Sequence, residues 1–516
     1  MNDERPPSLS WGMWKRFLIA GALIVTLSGA ATATVALNTV SSIAAEVFPT
    51  LSQINAPKGV VTPEYSGGAQ TFLILGSDRR EGSKDSFDRT DPPHSDTILL
   101  VRFDPEQGQT SVMSIPRDLM VDITTSSGQV YVHEKINAAY TVGSRLGGAK
   151  GGIVLAAETI EREVFPGLKL NGIIDVNFGG FIKVVDTLGC AYVNVDHRYY
   201  NENMGSTETN YTSINLQPGY QKLCYENALD YVRYRHTDSD FVRVARQQDF
   251  LRDLREQISP ANEIGQIDTV AKAVGHAISS TFHASAQELI ELAKLVAFSQ
   301  SKPLRQVKFK TTNVNAQLGG ASYVTSTPAL EQETLADFLQ GHESPRLPAS
   351  RPPARHASGH NHHSSPARGS SAASLNLFAT SSAGNSEAVK AAINVPFPVL
   401  YPRLQTGQGE QQTVRPYALR DQQGKLHHAY VVVWRQNSIG AYYDFEGSDW
   451  LNPPLFAHAR TQTIDGRSYR LVDDGSHIHV IGWRSGPVLY WLTNTLLEEL
   501  SNTQMLALAK SAQPLH

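Results

Sequence analysis

The segment Tyr231 to Gln248 gathers Arg233, Arg235, Arg243 and Arg246 around Asp238 and Asp240, with no lysine among them. Guanidinium groups stay charged and present planar forks that match phosphate oxygens two at a time. Like charges crowd in this way when an anion sits between them. Downstream, Phe250, Leu251, Leu254 and Ile258 follow helical spacing, so the second half of the segment reads as an amphipathic helix. On it Arg243, Arg246 and Gln247 fall at i, i+3 and i+4 and share a face. Asp240 stands where an N-cap belongs. The competing reading is a solvated charged face laced with salt bridges.

Other segments offer matching groups. Asp78 closes Leu75-Gly76-Ser77-Asp78, and Asp96 lies in His94-Ser95-Asp96-Thr97. Arg117 and Asp118 follow Ser114-Ile115-Pro116, and Lys135 opens Lys135-Ile136-Asn137-Ala138-Ala139. The two aspartates are hard oxygen donors suited to Mg²⁺ (or Mn²⁺) shared with phosphate oxygens. Arg117 and Lys135 would neutralise the phosphates. Each motif alone is weak, because a lone carboxylate is more often a cap or a salt-bridge partner. Their joint occurrence in one stretch carries the inference.

Something must bring these groups together. Strand-like runs are predicted at Thr71 to Leu75, Thr97 to Phe103, Ser111 to Ile115, Ile173 to Val176, Ala191 to Val195 and about Val307 to Thr311. Helical patterns fall between them, at about Asn137 to Leu146, Ile153 to Phe165, Phe178 to Leu188, Val270 to Ile278 and Ala286 to Phe298. Strands alternating with helices argue an α/β sheet covered on both faces, with functional groups collecting at strand ends. This unit is expected over 69–325. Residues 326–390, rich in Ser, Pro, His and Ala, read as a disordered linker. From 391 to 516, turn signals alternate with Tyr, Trp and Val runs, which reads as a small antiparallel β-rich unit closed by a helix at about Thr493 to Lys510.

At 516 residues the chain exceeds one compact domain, and a net charge of −4 argues against bulk nucleic-acid binding. Residues 17–37 form an uncharged apolar stretch of about the length a bilayer core demands. Lys15 and Arg16 precede it and no basic residue follows until Lys58, so a cytoplasmic tail (1–16), a membrane helix (17–37) and an external stalk (38–68) are expected. A cleaved signal peptide competes, although the apolar stretch exceeds a typical signal core. Outside the cytoplasm, Cys190 and Cys224, the only two cysteines, invite a disulfide; two free buried thiols are the other reading.

Gly76-Ser77-Asp78, Ser95-Asp96-Thr97, Ile115-Pro116-Arg117-Asp118, Lys135-Ile136-Asn137-Ala138, Val185-Asp186-Thr187-Leu188-Gly189 and Tyr231-Val232-Arg233-Tyr234-Arg235 through Arg246-Gln247-Gln248 occur in this order. Together they resemble the signature of the LytR-CpsA-Psr family. The resemblance covers about residues 69–310 and implies a three-layer α/β/α domain on a single membrane anchor. It implies a Mg²⁺-dependent phosphotransferase that moves a glycopolymer from a polyprenyl-pyrophosphate carrier to peptidoglycan.

Residue by residue, Asp78 and Asp96 resemble the metal-coordinating pair. Arg117, Arg233, Arg235, Arg243 and Gln247 resemble pyrophosphate contacts, and Asp240 the carboxylate holding the arginines. Lys135 and Arg246 are expected on the substrate. The family usually has arginine two residues before the second aspartate; this chain has His94, and Arg89 could substitute. The polyprenyl tail needs an apolar groove, for which Ile153 to Val164 and Phe178 to Leu188 are candidates, with core packing as the alternative. The rival functions are a lipid-linked-sugar sensor without turnover, a polyprenyl-pyrophosphate hydrolase and a structural wall-anchoring protein.

Overall fold

The computed structural model describes residues 52–53, 59–62, 68–77, 93–124, 130–202, 213–234, 238, 240–257, 278–280, 304–340, 375–392, 394–436 and 440–515. The expected membrane span, most of the stalk, and residues 270–277 and 286–298 of the two expected late helices lie outside them. Among the described residues no helix is long and apolar enough to cross a membrane.

The first unit is built on β1 (Gln70–Ser77), β2 (Ser95–Asp104) and β3 (Gln109–Ser114), followed by a hairpin of β4 (Met120–Thr124) and β5 (Val130–Lys135). Next come α1 (Ala138–Thr159), β6 (Gly172–Asn177), α2 (Phe178–Thr187), β7 (Ala191–Val195), β8 (Gly219–Leu223), α3 (Tyr225–Arg233) and α4 (Asp240–Glu256). The short strands β9 (Ile278–Ser280) and β10 (Leu304–Val307), a hairpin of β11 (Asn313–Leu318) and β12 (Ala321–Thr325), and α5 (Pro328–Leu339) complete it.

A seven-stranded mixed sheet runs from Ser52–Gln53 through β9, β6, β1, β2 and β3 to β10. β1 is parallel to β6 and antiparallel to β2, and β3 is parallel to β10. The run Phe72 to Leu75 is apolar at every position, as expected for a strand covered on both faces. On one face Leu73, Leu75, Leu100 and Met113 pack against Tyr140, Ile153 and Ile160 of the α1 region. On the other, Leu99, Val101 and Val112 meet Leu251 of α4. The sheet is therefore layered between helices.

The two helices expected at Asn137 to Leu146 and Ile153 to Phe165 are the arms of α1, which breaks where Gly148 adopts φ 64°. The arms cross closely enough that a Cβ on Gly143 would stand 2.3 Å from the Gly151 carbonyl oxygen. The expected strand at Val307 to Thr311 lies earlier, at β10, and Ile278 belongs to a strand rather than a helix.

The boundary at 325 also needs correction. Beyond it α5 buries Leu335 and Phe338 in the first core, with Thr327 capping the Leu330 amide and Pro328 in the first turn. At the far end of the expected linker, Leu377 and Ala388 join the second core. Ala388 lies in α6 (Ser382–Ala392). Composition had hidden both helices.

The second unit is a seven-stranded antiparallel sheet made of β13 (Glu410–Arg420), β14 (Leu426–Arg435), β15 (Tyr442–Ser448), β16 (Arg460–Ile464), β17 (Arg467–Asp474), β18 (His477–Ser485) and β19 (Val488–Asn494), in the order β13-β14-β15-β19-β18-β17-β16. The expected helix at Thr493 to Lys510 is corrected at its start. Thr493 and Asn494 end β19, a run buried at every position, and α7 (Asn502–Ser511) begins only after Ser501, whose side chain forms a capping box with Gln504.

Candidate active site

The site opens at the ends of β1 and β2. Their register slips between Gly76↔Thr97 and Ser77↔Ser95, which leaves Asp96 as the extra residue of a β-bulge. A bulge re-aims its side chain. It forms here because Gly76 has no Cβ, which would otherwise stand 2.8 Å from Thr97 Cβ.

Arg117 arrives on the turn after β3, where the Leu119 amide donates to the Pro116 carbonyl (3.0 Å) and the Asn137 amide to the Arg117 carbonyl (3.2 Å). Its Nη1 donates to Asp96 Oδ1 in a short ion pair. Arg243, on the first turns of α4 and only 4 % exposed, donates from Nη2 to the Asp96 backbone oxygen at 3.4 Å. Burial pushes the Asp96 carboxyl up. Arg117, then Arg243, with a smaller pull from His94, together outweigh burial and hold it below its ordinary value. Arg233 ends α3 with its guanidinium 4.1 Å from the Phe178 ring centre. One turn earlier, burial lifts Asp230 to about 6 against the pull of Arg233. Gln247, one turn beyond Arg243, donates to the Val232 carbonyl at 3.2 Å.

Asp96, Arg117, Arg233, Arg243 and Gln247 line one cavity of about 530 Å³. The rest of the lining is mostly apolar. It includes Phe178, Phe181, Val184 and Val185 of α2, Leu229 and Val232 of α3, and Phe250, Leu251 and Leu254 of α4. The sheet contributes Ile74, Leu99, Ile174 and Val176 as a floor. Of the two groove candidates, the α2 stretch lines this bore. The Ile153 to Val164 stretch does not: Ile153, Ile160 and Val164 are fully buried in the core on the opposite face of the sheet. The contributions of α3, α4 and the floor went unread. Their signal was the both-face apolarity of the central strands, with an apolar flank on each helix.

Other expected residues fall elsewhere. Arg246 is not brought to the cavity. It is fully enclosed, donating to the Tyr199 hydroxyl (3.1 Å), to the carbonyls of Tyr231 (3.2 Å) and Tyr234 (2.7 Å) and to Asp238, with the Tyr199 ring 4.6 Å away. A three-residue step turns a side chain some 60° around a helix, enough to take Arg246 off the cavity face. Lys135 stands off the cavity too, paired with Asp118 at 3.0 Å and 5.5 Å from the Tyr323 ring. Asp78, Arg89 and Arg235 lie outside the described residues, as does the side chain of Asp240, whose backbone begins α4. Among the described carboxylates, Asp238 holds Arg246 and Asp96 holds Arg117. Cys190 and Cys224 form a disulfide joining the loop after α2 to the start of α3.

A divalent cation fits the donor set in part. Asp96 offers an ionised hard-oxygen ligand in the cavity lining, one of whose oxygens Arg117 already engages.

The family model described as "LytR_cpsA_psr family" matches residues 36–337. An uncharacterized protein of Staphylococcus aureus is 28% identical over 243 residues, which is 47% of this chain and 55% of that protein. Biofilm regulatory protein A of Streptococcus mutans is 25% identical over 268 residues, 51% of this chain and 62% of that protein. The matches thus span little more than half the length of these relatives. The solved structure of B. subtilis TagV aligns with a TM-score of 0.41 at 23% identity, over 53% of this chain and 96% of that one.

Proposed function

The chain belongs to the LytR-CpsA-Psr family, and on that premise we propose that it is a phosphotransferase of the cell envelope. Its donor would be a glycopolymer on a polyprenyl diphosphate and its acceptor a peptidoglycan hydroxyl. The observation that carries the reading is a single cavity lined both by Asp96, Arg117, Arg233 and Arg243 and by apolar side chains of α2, α3, α4 and the sheet. Such a shape suits a molecule with a dianionic head and a hydrocarbon tail.

In this reading Arg243 and Arg233 grip the diphosphate and Gln247 donates to it. The acceptor oxygen bonds to the sugar-proximal phosphorus, the anhydride bond breaks, and polyprenyl monophosphate leaves with the electron pair. The acceptor proton passes to solvent or to a neighbouring base. Phosphoryl transfer chiefly needs positioning and neutralised oxygens. Asp96, with Asp78 as its proposed partner, would hold Mg²⁺ (or Mn²⁺), which when bound supplies further neutralisation of the phosphate oxygens. Arg235, Arg89 and Asp240 remain proposed members of the same set. The basic residues Lys15 and Arg16 before the apolar stretch 17–37 support an anchor with the catalytic unit outside the membrane.

The test incubates the chain with a polyprenyl-diphosphate sugar, with and without peptidoglycan and Mg²⁺. Phosphate-linked sugar on peptidoglycan is the expected product. Sugar phosphate released equally without the acceptor would make it a hydrolase, and binding with neither product would make it a sensor.

A further inference from the structure

Helix α4 has two occupied sides. One carries Arg243, Gln247, Phe250, Leu251 and Leu254 into the cavity. The other is covered by the C-terminal unit. Val242 and Ala245 pack against Leu496, with Leu497 beside it, in the loop after β19. Also on the covered side, Arg252 donates from Nη2 to Asp474 Oδ2 at 2.7 Å, and its Nη1 lies 3.1 Å from Asp249 Oδ1. The Arg252 and Asp474 side chains are 2 % and 3 % exposed. Asp474 Oδ1 also accepts the Gln306 amide (2.6 Å), while Gln306 Nε2 donates to Asp249 (2.8 Å). One carboxylate at the end of β17 therefore ties α4 to the edge of the catalytic sheet.

We propose that the C-terminal unit is a positioning element of the reaction site, in which Asp474, through Arg252, and Leu496, through Val242 and Ala245, fix helix α4 and so set the Arg243 guanidinium against Asp96. The proposal rests on the diphosphate reading of the cavity and assigns the second unit a part in it. A buried ion pair adds little net stability but strongly penalises any arrangement that separates it. Here the arrangement it enforces is the seating of α4. The hydrophobic contact sits on the first turn of the helix, beside Arg243. The ion pair sits about two and a half turns on, so the helix is held at two points along its length. A module that merely bound cell wall would not need a buried carboxylate inserted between helix α4 and the edge of the first unit's sheet.

The experiment compares the full chain with its Asp474→Asn and Leu496→Ala variants, using farnesyl diphosphate and farnesol as probes in calorimetric titrations. Amide hydrogen exchange over residues 240–256 is followed in parallel. Asp474→Asn keeps an acceptor for the Gln306 amide and removes the charge facing Arg252. The expected result in both variants is about tenfold weaker farnesyl diphosphate binding. Farnesol binding should stay within about threefold, with faster exchange in α4. Leu496→Ala carries the test should Asp474→Asn fail to fold. Unchanged diphosphate binding and unchanged α4 exchange in the variants overturn the positioning role. So does an equal loss for both probes, which would mark general loosening. A wild-type chain that binds farnesol but not farnesyl diphosphate overturns the diphosphate reading instead, and the two failures are told apart by which protein shows them.

Discussion

Replacing Arg243 by alanine tests the site most directly. The side chain is 4 % exposed, so water has little room to take over its donors. The hydrogen bond from its Nη2 to the Asp96 backbone oxygen, at 3.4 Å, is long and by itself contributes little to folding. A hydrogen bond to a charged group is worth about 1.5–3 kcal/mol, so losing one from a bound diphosphate should weaken farnesyl diphosphate roughly 10- to 150-fold. Arg243→Lys keeps the charge without the fork and should fall between. A second effect runs through Asp96, whose carboxyl burial raises and Arg117 and Arg243 lower. With a net depressed value, its ionised form contributes stability that is present above the unfolded value of 3.8 and lost as pH falls through the folded one. Without Arg243 the folded value rises toward the unfolded one, so this contribution is smaller and is exhausted at a higher pH. Calorimetric titration at neutral pH and acid unfolding followed by circular dichroism read the two effects. An affinity within about threefold of wild type in a natively folded variant would refute the assignment of Arg243 to the diphosphate.

Arg246→Ala should behave oppositely, removing a fully buried guanidinium from Asp238 and costing roughly 3–5 kcal/mol of stability; a variant that melts like wild type but loses transfer would make Arg246 a substrate ligand after all. Each isoprene unit entering the bore buries about five carbons, worth at most roughly 4 kcal/mol, so Phe181→Asp should flatten the gain in affinity from geranyl to farnesyl diphosphate, and an unchanged gain would place the tail elsewhere. Burial lifts Glu498 to about 7 from 4.5, so its contribution to stability is fully present below about 4.5 and lost as pH rises through about 7. Glu498→Gln should therefore gain on wild type by up to about 3 kcal/mol between pH 4 and pH 8 in urea unfolding, and parallel curves would contradict this. A Cys190→Ser, Cys224→Ser double variant opens a link across a sequence separation of 34 residues. It should lose roughly 4 kcal/mol by thermal unfolding, and an unshifted midpoint would count against a stabilising role.

The strands that line the cavity and the arginine-bearing helix were legible because local chemistry dictates them. An apolar run at every position signals a strand covered twice, and Arg243 with Gln247 share a face by the helical period. The bulge at Asp96 was not legible, since it depends on which residue of β1 faces which of β2, and register is a property of the pair. Arg246 misled because an arginine beside cavity-lining residues in sequence looks the same whether its fork meets a ligand or the carbonyls of Tyr231 and Tyr234. The groove was half read: α2 announces an apolar flank, but its partners on α3 and α4 come from remote segments. The helix misplaced over Thr493 shows the same limit, because a strand buried on both faces and a buried helix turn carry similar apolar density.

The contact between the two units was beyond local reading for a further reason. Asp473-Asp474-Gly475 has the composition of an exposed turn, and Gly475 does take φ 54° there. Yet Asp474 is 4 % exposed, because the turn it enters is pressed against α4 and β10. Asn194, in β7, likewise donates to both oxygens of Asp444, at 3.1 Å each, across a separation of 250 residues. Burial pushes the Asp444 carboxyl up, and the charge of Glu446 beside it pushes the same way. Polar residues buried in this manner lose hydration that only a correctly seated partner restores, so they penalise every other docking of the two units. An interface built on apolar contacts alone would tolerate sliding. This one specifies a single seat, and the placement of Arg243 in the cavity on the far side of α4 depends on that seat.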